Sequence, residues 1–307
     1  MNPVPSEALF GAARRQFHTA LKDKVLRLDN GVLSNADKGN KASKDIAFRI
    51  AQKIGLETPG KKLKGQTASN EFEIATAQFV RETFLHLQHL RPGEWAIQKI
   101  GEKPSSSEKA VRKKELQKDF GKLINIARFA QYRHLVAIAK AASENPELAA
   151  SLGNDYIIKP DIVVFRGLVT DAEINRDELL VDGSVATKSS LRKTNGGAPI
   201  LHASISCKLT IRSDRSQNSR SEALNLIRNR RGKLPHIVVV TGEPMPSRLS
   251  SIALGGGDID CVYHFALPEL LETVRELDLS DSEEALKIMV NGNRLKDISD
   301  LPLDLAV

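Results

Sequence analysis

Cysteine is scarce in this chain of 307 residues: there are two, Cys207 and Cys261. Two cysteines exclude a disulfide scaffold and, without histidines at ligand spacing, a four-ligand zinc ribbon. Both lie in β-branched runs, so they read as strand core rather than as nucleophiles, and a reducing cytoplasm is the simplest compartment. Long apolar runs are also missing. Nothing approaches the roughly 18 uninterrupted apolar residues of a membrane helix, so no membrane partner is expected. Residues 1–20 carry Arg14, Arg15 and His18 without an apolar block, so no signal peptide is expected. The His- and Asp-rich cluster of a metal phosphatase is not there; His86 and His89 read as packing or solvent-facing side chains. An apolar fraction of 41% and a charged fraction of 27% exclude disorder and fibres. At about 150 residues per domain the length suggests two domains, but one α/β domain of this size is common. The expectation is one catalytic and binding domain over 1–307, with a mostly helical part at 1–150 and an α/β core at 151–307.

Charge is unevenly placed. Forty-five Lys and Arg against 38 Asp and Glu give a formal net charge of +7. Residues 269–307 hold ten acids against four bases, so the first 268 residues carry 41 bases against 28 acids. Within 203–233, eight bases face only Asp214 and Glu222. A basic body of this kind fits a polyanionic partner, DNA or RNA.

Hydrophobic spacing predicts helices over 6–21, 43–55, 69–90, 119–143 and 213–229. Residues 35–40 and 58–64 read as loops, and 102–118 as a polar, basic insert. Strands are expected at 156–165, 198–211, 236–241 and 261–265, with 171–197 as a polar excursion. Strands alternating with helices indicate an α/β fold.

Pro160-Asp161 places a carboxylate in an apolar run, where burial is costly unless something positive is bound. Taken alone, such an Asp caps a turn as readily. In the next strand Ser206 and Lys208 share a face and Cys207 points to the other; taken alone, Lys208 reads as an edge-strand ammonium in water. Together, Pro-Asp on one strand and x-x-Lys on the next form the PD-(D/E)xK nuclease pattern. The usual second carboxylate is replaced by Ser206, which cannot supply anionic charge to a Mg2+ site. Glu222, on the following helix, can supply it; alone it reads as an exposed glutamate paired with a neighbouring Arg. Such a set suits phosphodiester hydrolysis, with Asp161 and Glu222 holding Mg2+ and Lys208 orienting the attacking water.

The segment 206–222, SCKLTIRSDRSQNSRSE, resembles the active-site and recognition segment of the CCGG-type restriction endonucleases, most closely the NgoMIV group. Pro160-Asp161, residues 236–241, 246–248 and 260–266, and Asn35, Asp37, Gln66, Phe72 and Glu73 extend the likeness over most of the chain. The resemblance implies a restriction-endonuclease-like fold, a central mixed β-sheet flanked by α-helices, and a Mg2+-dependent type II enzyme of a prokaryotic cytoplasm. That enzyme makes staggered cuts in double-stranded DNA within a CCGG-centred palindrome, GCCGGC as first choice. It implies a homotetramer built as a dimer of dimers, and a companion DNA methyltransferase acting on the same site without binding this chain. By residue match Asp161, Lys208 and Glu222 are catalytic, with Ser206 and Glu73 beside them and the Cys207 backbone carbonyl as a further metal ligand. Arg212, Asp214 and Arg215 read the inner CCGG, Gln66 approaches the minor groove, and Asp37 and Arg248 read the outer pair. Arg donating to guanine and Asp accepting from cytosine is the chemistry that G and C pairs require. Gly39 departs from the pattern, which has a serine there. A repair or junction-cleaving PD-(D/E)xK nuclease and a non-catalytic DNA-binding protein are the alternative readings.

Overall fold

The computed structural model describes residues 7–56, 65–101, 125–152, 158–211 and 213–307. A small hairpin, β1 (Leu28–Asp29) and β2 (Val32–Leu33), precedes a six-stranded sheet. The sheet order is β3 (Trp95–Lys99), β4 (Ile162–Arg166), β5 (Ile200–Lys208), β6 (His236–Thr241), β7 (Cys261–His264) and β8 (Leu295–Asp297). It is mixed, as the resemblance implies: β3 pairs antiparallel with β4, whereas β7 is parallel to both β6 and β8. By compactness the chain divides into two units. One comprises Met1–Arg91, Ile205–Arg220 and Ile237–Val307, the other Pro92–Ser204 and Ser221–His236.

In the first unit, α1 (Leu9–Lys24) buries Ala13, Phe17 and Leu21 at four-residue spacing, one helical stripe. The Phe17 ring lies 6.3 Å from Phe72 and 5.6 Å from Phe79, both carried by α3 (Gly65–Phe84). Between them, α2 (Lys41–Lys53) is capped by Asn40, whose side chain accepts from the Ser43 N–H at 3.0 Å. It stops at Gly55, whose φ of +82° suits glycine. In β6 every residue from Ile237 to Thr241 is buried, the continuous run that a strand covered on both faces needs. Parallel strands require crossovers. These are α8 (Pro246–Ala253) from β6 to β7, then α9 (Leu267–Glu276) and α10 (Ser280–Asn291) from β7 to β8. Phe129 packs 5.2 Å from Phe165 in the second unit. There the buried Gln131 amide donates to the Leu201 C=O at 2.7 Å and accepts from its N–H at 3.0 Å, satisfying both backbone groups.

The helix at 213–229 and the strand at 236–241 form over their expected spans. Elsewhere the structure corrects the sequence reading. The first strand starts only at Ile162, because Pro160 has no N–H to give a ladder; Asp161 therefore precedes the strand rather than lying inside it. Among the described residues of the stretch expected at 119–143, only Leu135–Glu144 is α-helical (α4); α5 (Pro146–Leu152) and α6 (Asp171–Ile174) follow it. Two 3-10 turns precede it, separated by Phe129 in extended conformation. The helix expected at 69–90 runs instead over Gly65–Phe84 and tightens into a 3-10 turn at Leu85–Leu87. Strands β3 and β8 were not anticipated. The insert 102–118 lies outside the described residues.

Candidate active site and DNA-reading residues

Lys208 ends β5, half-buried, and its carbonyl anchors the chain leaving β6: Thr241 Oγ1 donates to it at 2.7 Å and the Gly242 N–H at 3.1 Å. Glycine suits position 242, since a Cβ there would stand 3.1 Å from the Leu209 carbonyl oxygen, a tight contact. Ser206, two residues before Lys208, is buried, and its hydroxyl has no hydrogen-bond partner among the described residues. Cys207 between them is buried, and so is Cys261 in β7, as strand core positions. Glu73 is half-buried on α3, next to the buried Phe72.

In the second unit, Asp161 is half-buried just ahead of β4, and its carbonyl accepts the Ile100 N–H at 2.8 Å, extending the β3–β4 ladder by one bond. Glu222 rides α7 (Ser213–Asn229) beside the buried Ala223, with its Oε1 hidden from solvent. Asp214 and Arg215 fall in the first turn of α7, and Gln66 is the second residue of α3. Arg212 lies outside the described residues. Among the described residues no three His, Cys, Asp or Glu side chains gather into a metal cage.

Asp37 and Arg248, 211 positions apart, are brought together: Arg248 Nη2 donates to Asp37 Oδ2. The other Asp37 oxygen accepts the Gly39 N–H at 3.0 Å, and the Asp37 N–H donates to Ser43 Oγ at 2.9 Å. Asn35 fastens the same loop to the β6–α8 turn by donating to the Gly242 carbonyl at 2.9 Å. The sequence reading missed Glu243, which is 0% exposed in that turn. Burial pushes its carboxyl above the ordinary carboxylate range, against the N–H groups of Ile211 and Met245 and the Arg248 charge. Its only sequence signal is an acid directly following an apolar strand.

The model of the NgoMIV restriction enzyme family matches residues 17–307. The chain belongs to this family. Type II restriction enzyme NgoMIV of Neisseria gonorrhoeae is 55% identical over 309 residues, covering the whole of both chains. Membership in the NgoMIV family brings the restriction-endonuclease-like fold to the mixed sheet, DNA as the substrate, and site-specific nuclease activity to the chain. It also favours the restriction-enzyme reading over the repair-nuclease and non-catalytic alternatives.

Proposed function

We propose that this type II restriction endonuclease hydrolyses phosphodiester bonds in double-stranded DNA at GCCGGC, leaving staggered ends and using Mg2+. The observation that carries the reading is the 206–222 segment, with its Ser-x-Lys strand end and helix-borne Glu222, inside a full-length family match. Asp161, Glu222 and the Cys207 backbone carbonyl offer hard oxygen ligands, the donor class that Mg2+ takes. The buried Ser206 hydroxyl, without a partner among the described residues, fits a strand end built to meet a further polar group. When bound, the ion supplies positive charge for the developing phosphorane-like charge and acidifies water. Lys208, as an ammonium, orients the attacking water and neutralises the scissile phosphate. By residue match Glu73 and Ser206 complete the catalytic set.

Arg212, Asp214 and Arg215 read the inner CCGG from the major groove, Asp37 and Arg248 read the outer pair, and Gln66 approaches the minor groove. The whole chain acts as one catalytic and DNA-binding domain, in a homotetramer of two dimers. A separate methyltransferase protects the same sites in the cytoplasm of a prokaryotic host. Digestion of a plasmid of known sequence with Mg2+, followed by mapping of the ends, tests the reading. A fixed ladder ending at GCCGGC supports it; structure-dependent nicks, or binding without cuts, overturn it.

A further inference from the structure

The turn from β6 into α8 holds a carboxylate that base reading does not itself use. Glu243 Oε2 accepts the Ile211 N–H at 2.7 Å, Oε1 accepts the Met245 N–H at 3.0 Å, and Arg248 Nη1 stands 3.8 Å from Oε2. Its backbone is fixed as well: its N–H donates to Thr241 Oγ1 at 3.1 Å, and its carbonyl lies 3.2 Å from His264 Nε2. Ile211 is the residue before Arg212. Met245 is the N-cap of α8, the helix that bears Arg248. A buried carboxylate is costly unless it is compensated, and here two N–H donors and a guanidinium compensate it. A single planar group thus fastens two chain segments 32 residues apart in their numbering, at the entry to each set of base-reading residues. A second tie supports the frame: Arg220 on α7 donates to the Ser251 carbonyl on α8 at 2.6 Å. Its guanidinium occupies the space a Cβ on Gly255 would take.

We propose that Glu243 is a positioning residue for specificity, holding the entry to the inner-pair-reading segment and Arg248 of α8 in one frame. Loss of its carboxylate then loosens discrimination at inner and outer pairs together. This rests on the base-reading assignment above, so the experiment separates the two.

Binding is measured with Ca2+ replacing Mg2+ on duplexes carrying GCCGGC, ACCGGT (outer pair changed) and GCATGC (inner pairs changed). Glu243→Gln keeps the volume but offers one acceptor to two N–H groups, and turns an amide donor toward the other. Both affinity ratios, GCCGGC over ACCGGT and GCCGGC over GCATGC, are expected to fall about tenfold, the scale of one base contact. A merely structural Glu243 would lower the melting temperature and leave both ratios in place. Arg248→Ala is expected to lower only the outer ratio, and Arg212→Ala the inner one. If those two variants behave so while folded Glu243→Gln keeps both ratios within twofold, the proposal alone is wrong. If Arg248→Ala and Arg212→Ala leave the ratios unchanged, the base-reading assignment is wrong and the proposal falls with it. Should Glu243→Gln not fold, Met245→Pro decides. Met245 has φ −88°, close to the proline range, so this change deletes one donor with little strain. An outer ratio reduced about tenfold with the inner ratio kept supports the proposal, and an unchanged outer ratio overturns it.

Discussion

Single residues at element ends are the ones proposed for catalysis. Lys208 closes β5 and Asp161 precedes β4, both half-buried. Lys208→Ala and Asp161→Ala are each expected to lower Mg2+-dependent cleavage by about 10²–10⁴-fold while leaving Ca2+-supported DNA binding largely intact. Single-turnover cutting at the parent rate would remove that residue from the mechanism. Gly39 is the second test at this scale. It is exposed, and a Cβ there would sit 3.6 Å from Asp37 Oδ1, an ordinary contact. Gly39→Ser should therefore change stability by no more than about 0.5 kcal/mol. Its hydroxyl, added beside Asp37, should sharpen the outer-pair preference measured as GCCGGC against ACCGGT. A preference equal to the parent's would show that the missing serine costs nothing.

Elements matter through what their ends hold. Strand β7 ends in His264, fully buried, with Nδ1 accepting the Ala266 N–H at 3.1 Å and Nε2 facing the Glu243 carbonyl. Both contacts suit a neutral imidazole, its proton on Nε2. Burial lowers its pKa from 6.5 to about 4, against the carboxylates of Asp297 and Glu269. A depressed pKa means that between these values the unfolded chain takes up a proton that the folded chain refuses. The stability conferred is complete above pH 6.5 and drains as pH falls toward 4, by about 3 kcal/mol over the window. Urea unfolding at pH 7 and pH 4.5 should show a smaller acid loss for His264→Gln than for the parent, whatever the variant's stability at pH 7. Parallel losses would mean that His264 is not the titrating group. Because His264 also holds the Glu243 backbone, this strand end links acid stability to the turn that leads into the helix bearing Arg248.

On the scale of the whole molecule, the acidic C-terminal stretch serves as internal counter-charge. Arg14 of α1 binds Glu269 at 2.6 Å and Asp297 at 2.9 Å, and Lys53 of α2 binds Glu272 at 3.0 Å and Glu276 at 2.7 Å. Acids engaged with the N-terminal helices leave the basic excess of the remaining chain to meet DNA. Among the described residues no helix is long and apolar enough to cross a membrane. If the proposed dimer of dimers forms, light scattering should report a tetramer, and plasmids with two GCCGGC sites should be cut faster than plasmids with one. A dimer cutting both at equal rates would contradict that assembly. The sequence by itself determined the interior strands and the helix that follows Lys208. Residues 236–241 are apolar enough to be buried on both faces, and 213–229 bears a helical stripe, so local pattern and tertiary demand agree. It also displayed Asp161 and Lys208, charged side chains in apolar runs, and Glu222 through the carboxylate that Ser206 cannot supply and the likeness of 206–222 to the family's segment. Only the tertiary structure decided the two outermost strands, β3 and β8. WAIQK and LKD are short and partly polar, so they carry no clear period of two, and they become strands through the hydrogen bonds their neighbours offer. The same holds for the Asp37–Arg248 pair and for buried Glu243. Their contacts join segments far apart in sequence, and only chain folding fixes which distant N–H or guanidinium meets which carboxylate.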